Sequence, residues 1–192
     1  MKKIPTLFER VFSDNKIIHV KSDITAGCEN AFLNGIATVK IDGSCCAIID
    51  GKFYKRYDAK KGKKPPEGAI PCCEPDPITG HWPHWVLIDE NNPSDKWFVE
   101  AKKNSELHGI IIENRTYEAV GPHFNGNNGN YSDDFILPHG EYTVDVDRNL
   151  ASIFMWLKEN NEEGLVFWLN GEPVCKIKRT DFGLDWPIKE KK

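Results

Sequence analysis

The chain has 192 residues, of which 40 % are hydrophobic and 28 % charged, the size and balance of one soluble globular domain with a sizeable core. A net charge of −4 and a pI near 5.9 exclude a surface coated in nucleic acid, so any contact with a polyanion must be a local basic patch. No window has the length of a transmembrane span and "MKKIPTLFERVFSDNKIIHV" lacks a signal-peptide core, so the expectation is a cytoplasmic protein with no membrane partner. Six cysteines, including the adjacent pairs Cys45-Cys46 and Cys72-Cys73, then stay reduced.

In chain order, "IATVKI" (36–41) is β-branched and apolar enough for a strand, and "DGS" (42–44) is a turn signal. "CCAII" leads into Asp50-Gly51, a two-residue hairpin signature, and "KFYKRY" returns as the next strand. The stretch from Lys60 to Trp85 is rich in Pro and Gly and reads as a long ordered loop. "IIIENRTYEAVG" (110–121) predicts one or two strands, followed by the turn-rich "HFNGNNGNYSDD". Asp147 can cap a helix in which Leu150, Ile153, Phe154 and Leu157 recur on one face, the one clear amphipathic helix in the sequence. "GLVFWL", Asn170-Gly171 and "PVCKIKR" predict a second hairpin. Strands predominate and helices fall outside βαβ order, which predicts an α+β antiparallel architecture in a single domain spanning 1–192.

Side chains alternate faces along a strand, so Lys176 and Lys178 project from one side while Cys175 and Ile177 take the other. Glu163 precedes the partner strand, so a carboxylate and two ammonium groups can converge on one surface. With Lys40 they make a set of strand-end charges suited to handling phosphate. Alone, a Lys-x-Asp-Gly carries little weight. Here Lys40-Ile41-Asp42-Gly43 is followed in order by Arg56, Tyr117-Glu118, Glu163-Gly164 and Lys176-Ile177-Lys178.

This collinear set resembles the covalent nucleotidyltransferase superfamily of DNA ligases, RNA ligases and capping enzymes. "KIDGSCC", "PPEGAIPCCEPDPITGHWPHW", "YEAVGPHFNGN" and "KIKRTDFGLDWP" resemble more narrowly the ATP-dependent 5′-to-3′ RNA ligases typified by the vertebrate RNA-repair ligase, over about residues 40 to 187. The resemblance implies a ligase catalytic domain of two antiparallel sheets with flanking helices and ATP bound between them. The chain ends soon after the Lys-x-Lys strand, which leads us to expect no appended C-terminal domain.

The implied activity is ligation of RNA 5′-phosphate and 3′-hydroxyl ends through a lysyl-AMP on Lys40 and an adenylylated RNA 5′ end. An amine must lose its proton before it attacks phosphorus, and nearby positive charge favours that loss, which gives Lys176, Lys178 and a bound Mg²⁺ or Mn²⁺ a reason to stand close by. Following the family, Glu163 holds the metal or its water, and Lys176 and Lys178 grip the α-phosphate. Glu118 binds the ribose, and Arg56 contacts ribose or substrate phosphate. Asp42 shapes the turn after Lys40, Gly43 gives that turn backbone freedom, and an aromatic the sequence does not identify stacks on the adenine.

Other readings of the same residues stay open. The enzyme could seal nicked DNA or transfer guanylate from GTP, and the fold could persist as a non-catalytic binding module. "KRYDAKKGKK" (55–64) holds six basic residues in ten, a solvated face or an RNA-backbone patch. Cys72, Cys73, His81 and His84 have the ligand types of a zinc site but match no standard finger spacing.

Overall fold

The computed structural model describes residues 3–14, 16–77 and 79–188. The architecture is α+β, with antiparallel pairing in every sheet. The chain divides into two compact units, one built on Asp42–His139 and the other on Ile4–Ile41 together with the chain from Gly140 onward.

The second unit opens with a hairpin of β1 (Phe8–Ser13) and β2 (Lys16–Ile24), the short helix α1 (Glu29–Asn34) and β3 (Ile36–Lys40). The other unit then follows as one uninterrupted stretch. It contains β4 (Ser44–Ile49), β5 (Lys52–Ala59), β6 (Ile70–Pro71), β7 (Trp82–Leu87), α2 (Lys96–Leu107), β8 (Arg115–Val120) and β9 (Phe135–Pro138). The chain returns through β10 (Thr143–Val144), α3 (Leu150–Glu159), β11 (Gly164–Leu169) and β12 (Glu172–Lys178).

In the discontinuous unit, strands run in the order β10-β3-β11-β12, so β11 lies hydrogen-bonded between β3 and β12. One face of this sheet is apolar and is covered by helices: Ala37, Leu165, Phe167, Cys175 and Ile177 form a core with Phe32 of α1 and with Ile153 and Leu157 of α3. Phe8, Phe32 and Phe167 extend that core as edge-to-face pairs, with ring centroids 5.7 and 5.6 Å apart. The alternation that buries Cys175 and Ile177 turns Lys176 and Lys178 to the opposite face, as the sequence pattern predicts.

The contiguous unit is built on the strand order β6-β7-β5-β4-β8-β9. Cys46, Ile48, Tyr117, Ala119 and Ile136 pack beneath α2 through Ala101, with Trp97 and Phe98 at the margin. The other face carries a smaller cluster of Ala47, Tyr54 and Trp85, bordered by Cys45, Ile49 and Cys72. Each sheet thus hides one face under helices and keeps its polar, chemistry-bearing residues on the other.

Both expected hairpins form. Asp50 and Gly51 (φ 50° and 72°), and Asn170 and Gly171 (φ 52° and 80°), are left-handed at both central positions, the geometry whose twist suits flanking antiparallel strands. The expected helix forms as α3, but its cap is Asn149, whose side chain accepts the Ser152 N–H at 2.9 Å, and not Asp147. The Lys60–Trp85 stretch is not wholly loop: β6 and the start of β7 lie within it, with Cys72 N–H donating to the Pro83 carbonyl at 2.9 Å. Helix α2 was not expected. A short 3₁₀ turn over Pro93–Asp95 leads into it and carries the signal, because the Asn92 side chain accepts the Ser94 N–H at 3.0 Å and Pro93 opens that turn.

Candidate active site

Three adjacent strands of the discontinuous unit bring four expected residues together. Lys40 ends β3 and Lys178 ends β12, and both pair in register with Gly164 on the central β11. Glu163, immediately before β11 and only 5 % exposed, therefore sits between two ammonium groups. Its Oε2 accepts from Lys40 Nζ, and its Oε1 forms an ion pair with Lys178 Nζ at 2.5 Å.

Gly164 explains the Glu-Gly pair by space alone. A Cβ at this position would lie 2.2 Å from the Ile177 carbonyl oxygen and 3.0 Å from Lys178 Cα, both backbone atoms that cannot swing aside. The missing side chain is what lets β12 approach closely enough to bring Lys178 to Glu163. Asp181 fixes the end of β12 from the other side. Fully buried, it accepts the Lys178 backbone N–H at 2.8 Å and takes Arg10 Nη2 and Nε at 2.7 and 2.9 Å.

Lys176 lies one turn of the pleat back from Lys178, on the same face. The segment before β1 pins its backbone: Lys176 N–H donates to the Pro5 carbonyl at 3.1 Å and its carbonyl accepts the Leu7 N–H at 2.7 Å. Burial, with the positive charges of Lys40 and Lys178, pushes its ammonium down to about 8 against the partial opposition of Glu163. Below pH 8 both folded and unfolded states hold this proton and the full destabilising effect of burying the charge is present. It fades as pH rises from about 8 towards the ordinary lysine value of 10.5, because only the unfolded chain then still binds the proton. Lys176→Met should therefore be more stable than the unaltered chain at pH 7, and the difference should shrink by pH 10 in urea denaturation. A difference constant over that range would contradict the shift.

Arg56 and Glu118 lie in the contiguous unit, on β5 and β8, and the charges of both act on the thiol of Cys45 in β4. Cys45 is pushed up to about 12, chiefly by burial and then by the Glu118 carboxylate, so it stays a neutral thiol. Arg56 Nε donates to Asp58 Oδ1 at 3.0 Å. Glu118 Oε2 meets His139 Nε2 at 2.9 Å, a partner that the sequence pattern does not single out.

The structure assigns Asp42 and Gly43 reasons other than those expected. Asp42 clamps the Asn-Gly loop, with Oδ1 accepting from Asn125 Nδ2 and Oδ2 from Asn128 Nδ2 at 2.6 Å. Gly43 has no left-handed φ; it is needed because a Cβ would fall 2.2 Å from the Ala119 carbonyl oxygen and 3.0 Å from Glu118 Cγ. Gly43 thus lets the chain after Lys40 lie directly against the strand that carries Glu118.

The basic run divides. Lys55 pairs with the buried Asp95 and Arg56 with Asp58, whereas Lys60, Lys61, Lys63 and Lys64 are exposed. Among the described residues, Cys72, Cys73, His81 and His84 form no cluster with metal-ligating geometry; the one cluster of that kind is Cys45, Glu118 and His139.

No family model matches the sequence. Among curated proteins, the chain is similar to RNA ligase 1 of Pongo abelii at 25 % identity and to RNA ligase 1 of Rattus norvegicus and of Mus musculus at 24 % identity. Each alignment covers 81 % of this chain and 69 % of the relative. No helix among the described residues is long and apolar enough to cross a membrane.

Proposed function

We propose, from the premise that this chain is a relative of the RNA ligases, that it is an ATP-dependent RNA ligase that joins 5′-phosphate and 3′-hydroxyl ends through AMP carried on Lys40. The observation that carries this reading is the buried Glu163 carboxylate held between Lys40 and Lys178, with the half-buried Lys176 on the same sheet face. A purely structural ion pair needs one cation, whereas two lysines paired with one carboxylate, and a third whose charge acts on the same group, leave surplus positive charge. Such a surplus suits an incoming phosphate.

In the first step Lys40 Nζ, having lost its proton, attacks the α-phosphorus of ATP. A P–N bond forms as the bond to the bridging oxygen breaks, and pyrophosphate leaves with that electron pair. Glu163 orients Nζ, and Lys176 and Lys178 offset the charge gathering on the α-phosphate oxygens. In the second step an oxygen of the RNA 5′-phosphate displaces Lys40, breaking the P–N bond and returning the electron pair to Nζ. In the third, the 3′-hydroxyl attacks the activated 5′-phosphate, loses its proton and expels AMP.

Glu118 is read as the acceptor for a ribose hydroxyl, and Arg56 as a contact to ribose or substrate phosphate. A hard divalent cation, Mg²⁺ or Mn²⁺, would be held by Glu163 directly or through water and would supply further charge neutralisation at the phosphates. Both Glu163 oxygens are already engaged by lysine ammonium groups, so direct metal contact would suit the state in which Lys40 is deprotonated.

The test is incubation with ATP labelled at the α-phosphate and a divalent metal, followed by denaturing electrophoresis. A labelled protein band that is discharged by 5′-phosphorylated RNA is the expected result. Labelling by GTP alone would redirect the reading to guanylyl transfer, discharge only by nicked duplex DNA would make the enzyme a DNA ligase, and no band from either nucleotide would overturn covalent transfer.

A further inference from the structure

We infer that His139 is a positioning residue that sets the Glu118 carboxylate to recognise a ribose hydroxyl, so that the pair, and not Glu118 alone, makes the protein favour ribonucleotide over deoxyribonucleotide. The inference rests on the reading of Glu118 given above. Thr116 and Glu118 stand two residues apart on β8 and so share a face of the sheet. Leu137 of β9 is the register partner of Glu118, and His139 follows one residue after β9 ends.

His139 is held at four points. Its backbone N–H donates to the Thr116 carbonyl at 3.2 Å, and its own carbonyl accepts Arg115 Nη2 at 2.6 Å. Its ring meets Thr116 Oγ1 at Nδ1 (3.0 Å) and Glu118 Oε2 at Nε2 (2.9 Å). An ionised carboxylate can only accept, so Nε2 carries the hydrogen in that contact, and Nδ1 of a neutral ring is left to accept from the Thr116 hydroxyl. The side chains of His139 and Glu118 are only 15 % and 12 % exposed.

A surface histidine serving no purpose would leave a ring nitrogen to water, and a core histidine would have no reason to spend one on a carboxylate. Here a hydroxyl, an imidazole and a carboxylate form a relay of fixed direction that ends on Glu118. The His139 contact occupies Oε2. Oε1 takes no hydrogen bond from the described residues and remains able to accept one from a sugar hydroxyl.

The same Cys45, Glu118 and His139 atoms lie within 4.8 Å of one another, close enough for a soft divalent ion. That alternative would need a thiolate, and burial beside Glu118 keeps the Cys45 thiol protonated. It would also have to break the His139–Glu118 hydrogen bond. The arrangement is better suited to hold a carboxylate for a hydroxyl, because a site built to satisfy such a group rejects the analogue that lacks it.

The test is equilibrium binding of ATP, 2′-deoxy-ATP and 3′-deoxy-ATP to the full chain by titration calorimetry, with His139→Ala, His139→Gln and Thr116→Val compared with the unaltered protein. The unaltered chain should prefer ATP over at least one deoxy analogue by about tenfold or more, the scale of a hydrogen bond to a charged acceptor. His139→Ala should bring that ratio close to one. His139→Gln, whose amide can still donate to Oε2, should keep part of it, and Thr116→Val should lower it by a smaller factor. These two variants carry the test if His139→Ala fails to fold.

A ratio left unchanged in His139→Ala and Thr116→Val, even with weaker ATP binding, would reduce His139 to a structural role and overturn the inference. So would an unaltered chain that binds all three nucleotides equally. If the ratio moves as stated but no covalent AMP forms, the inference stands and the ligase reading fails. If labelling occurs and the ratio does not move, only the inference fails, and absence of ATP binding would overturn both.

Discussion

Lys40→Ala and Lys40→Arg should both eliminate covalent labelling by ATP, a loss of about 10³-fold or more, while the protein remains folded. Removal of a covalent nucleophile leaves only the background of a site that can bind but not bond. Lys40 stands at the end of β3 with a side chain 20 % exposed, so truncation opens no core cavity, and Glu163 keeps Lys178 as its partner. The arginine variant makes the result specific. A guanidinium can still pair with Glu163 but does not give up its proton at ordinary pH, so it preserves the ion pair and abolishes only the chemistry. Gel labelling and thermal melting read the two properties separately. A full-strength band from Lys40→Arg would assign the nucleophile elsewhere.

Glu163→Ala should be severe in both respects. It leaves Lys40, Lys176 and Lys178 facing one another with no carboxylate between them, and breaking a buried pair by removing one partner typically costs about 3–5 kcal/mol. Lys40 and Lys178 are 20 % and 30 % exposed, so water screens part of that cost and about 2 kcal/mol is the expected loss in urea denaturation. Labelling should fall by about 10²-fold, since Lys40 Nζ loses the acceptor that aims it. Glu163→Gln separates the contributions: its amide can still accept from one lysine but provides no negative charge. A Glu163→Ala protein that labels at the normal rate would show that Lys40 is oriented by something else.

Much of the discontinuous unit was legible because its signals are local. The Asn170-Gly171 turn, the alternation of Lys176 and Lys178 with Cys175 and Ile177, and the spacing of Ile153 and Leu157 each encode an element within ten residues or so. Helix α2 escaped because its buried residues are few and small: Ala101 and Ser105 face the sheet, so no apolar stripe at helical spacing stands out. The Lys60–Trp85 region misled because Pro and Gly turns separate two strands that pair with each other. The chain must loop out from Pro71 and come back to bring Ile70 opposite Trp85.

The expected site residues differ in the same way. That Glu163 lies between Lys40 and Lys178 follows from pairing on both sides of Gly164, a three-strand relation no sequence window contains. Gly43 was expected to supply flexibility, yet its place is set by the carbonyl of Ala119 on another strand. His139 went unnoticed because a single histidine after a short strand carries no periodicity. Its importance lies in which two side chains its ring nitrogens reach.

The order of the strands has a kinetic consequence. β3 is made early, but its neighbours in the sheet, β10 and β11, are made only after the whole of the contiguous unit, and Lys40 and Glu163 are 123 positions apart. The contiguous unit holds its own sheet and core and can collapse as soon as it is synthesised, while the lysine-bearing sheet must wait for β11 and β12. Lys40 therefore meets Glu163 and Lys178 only after β11 and β12 have both been made.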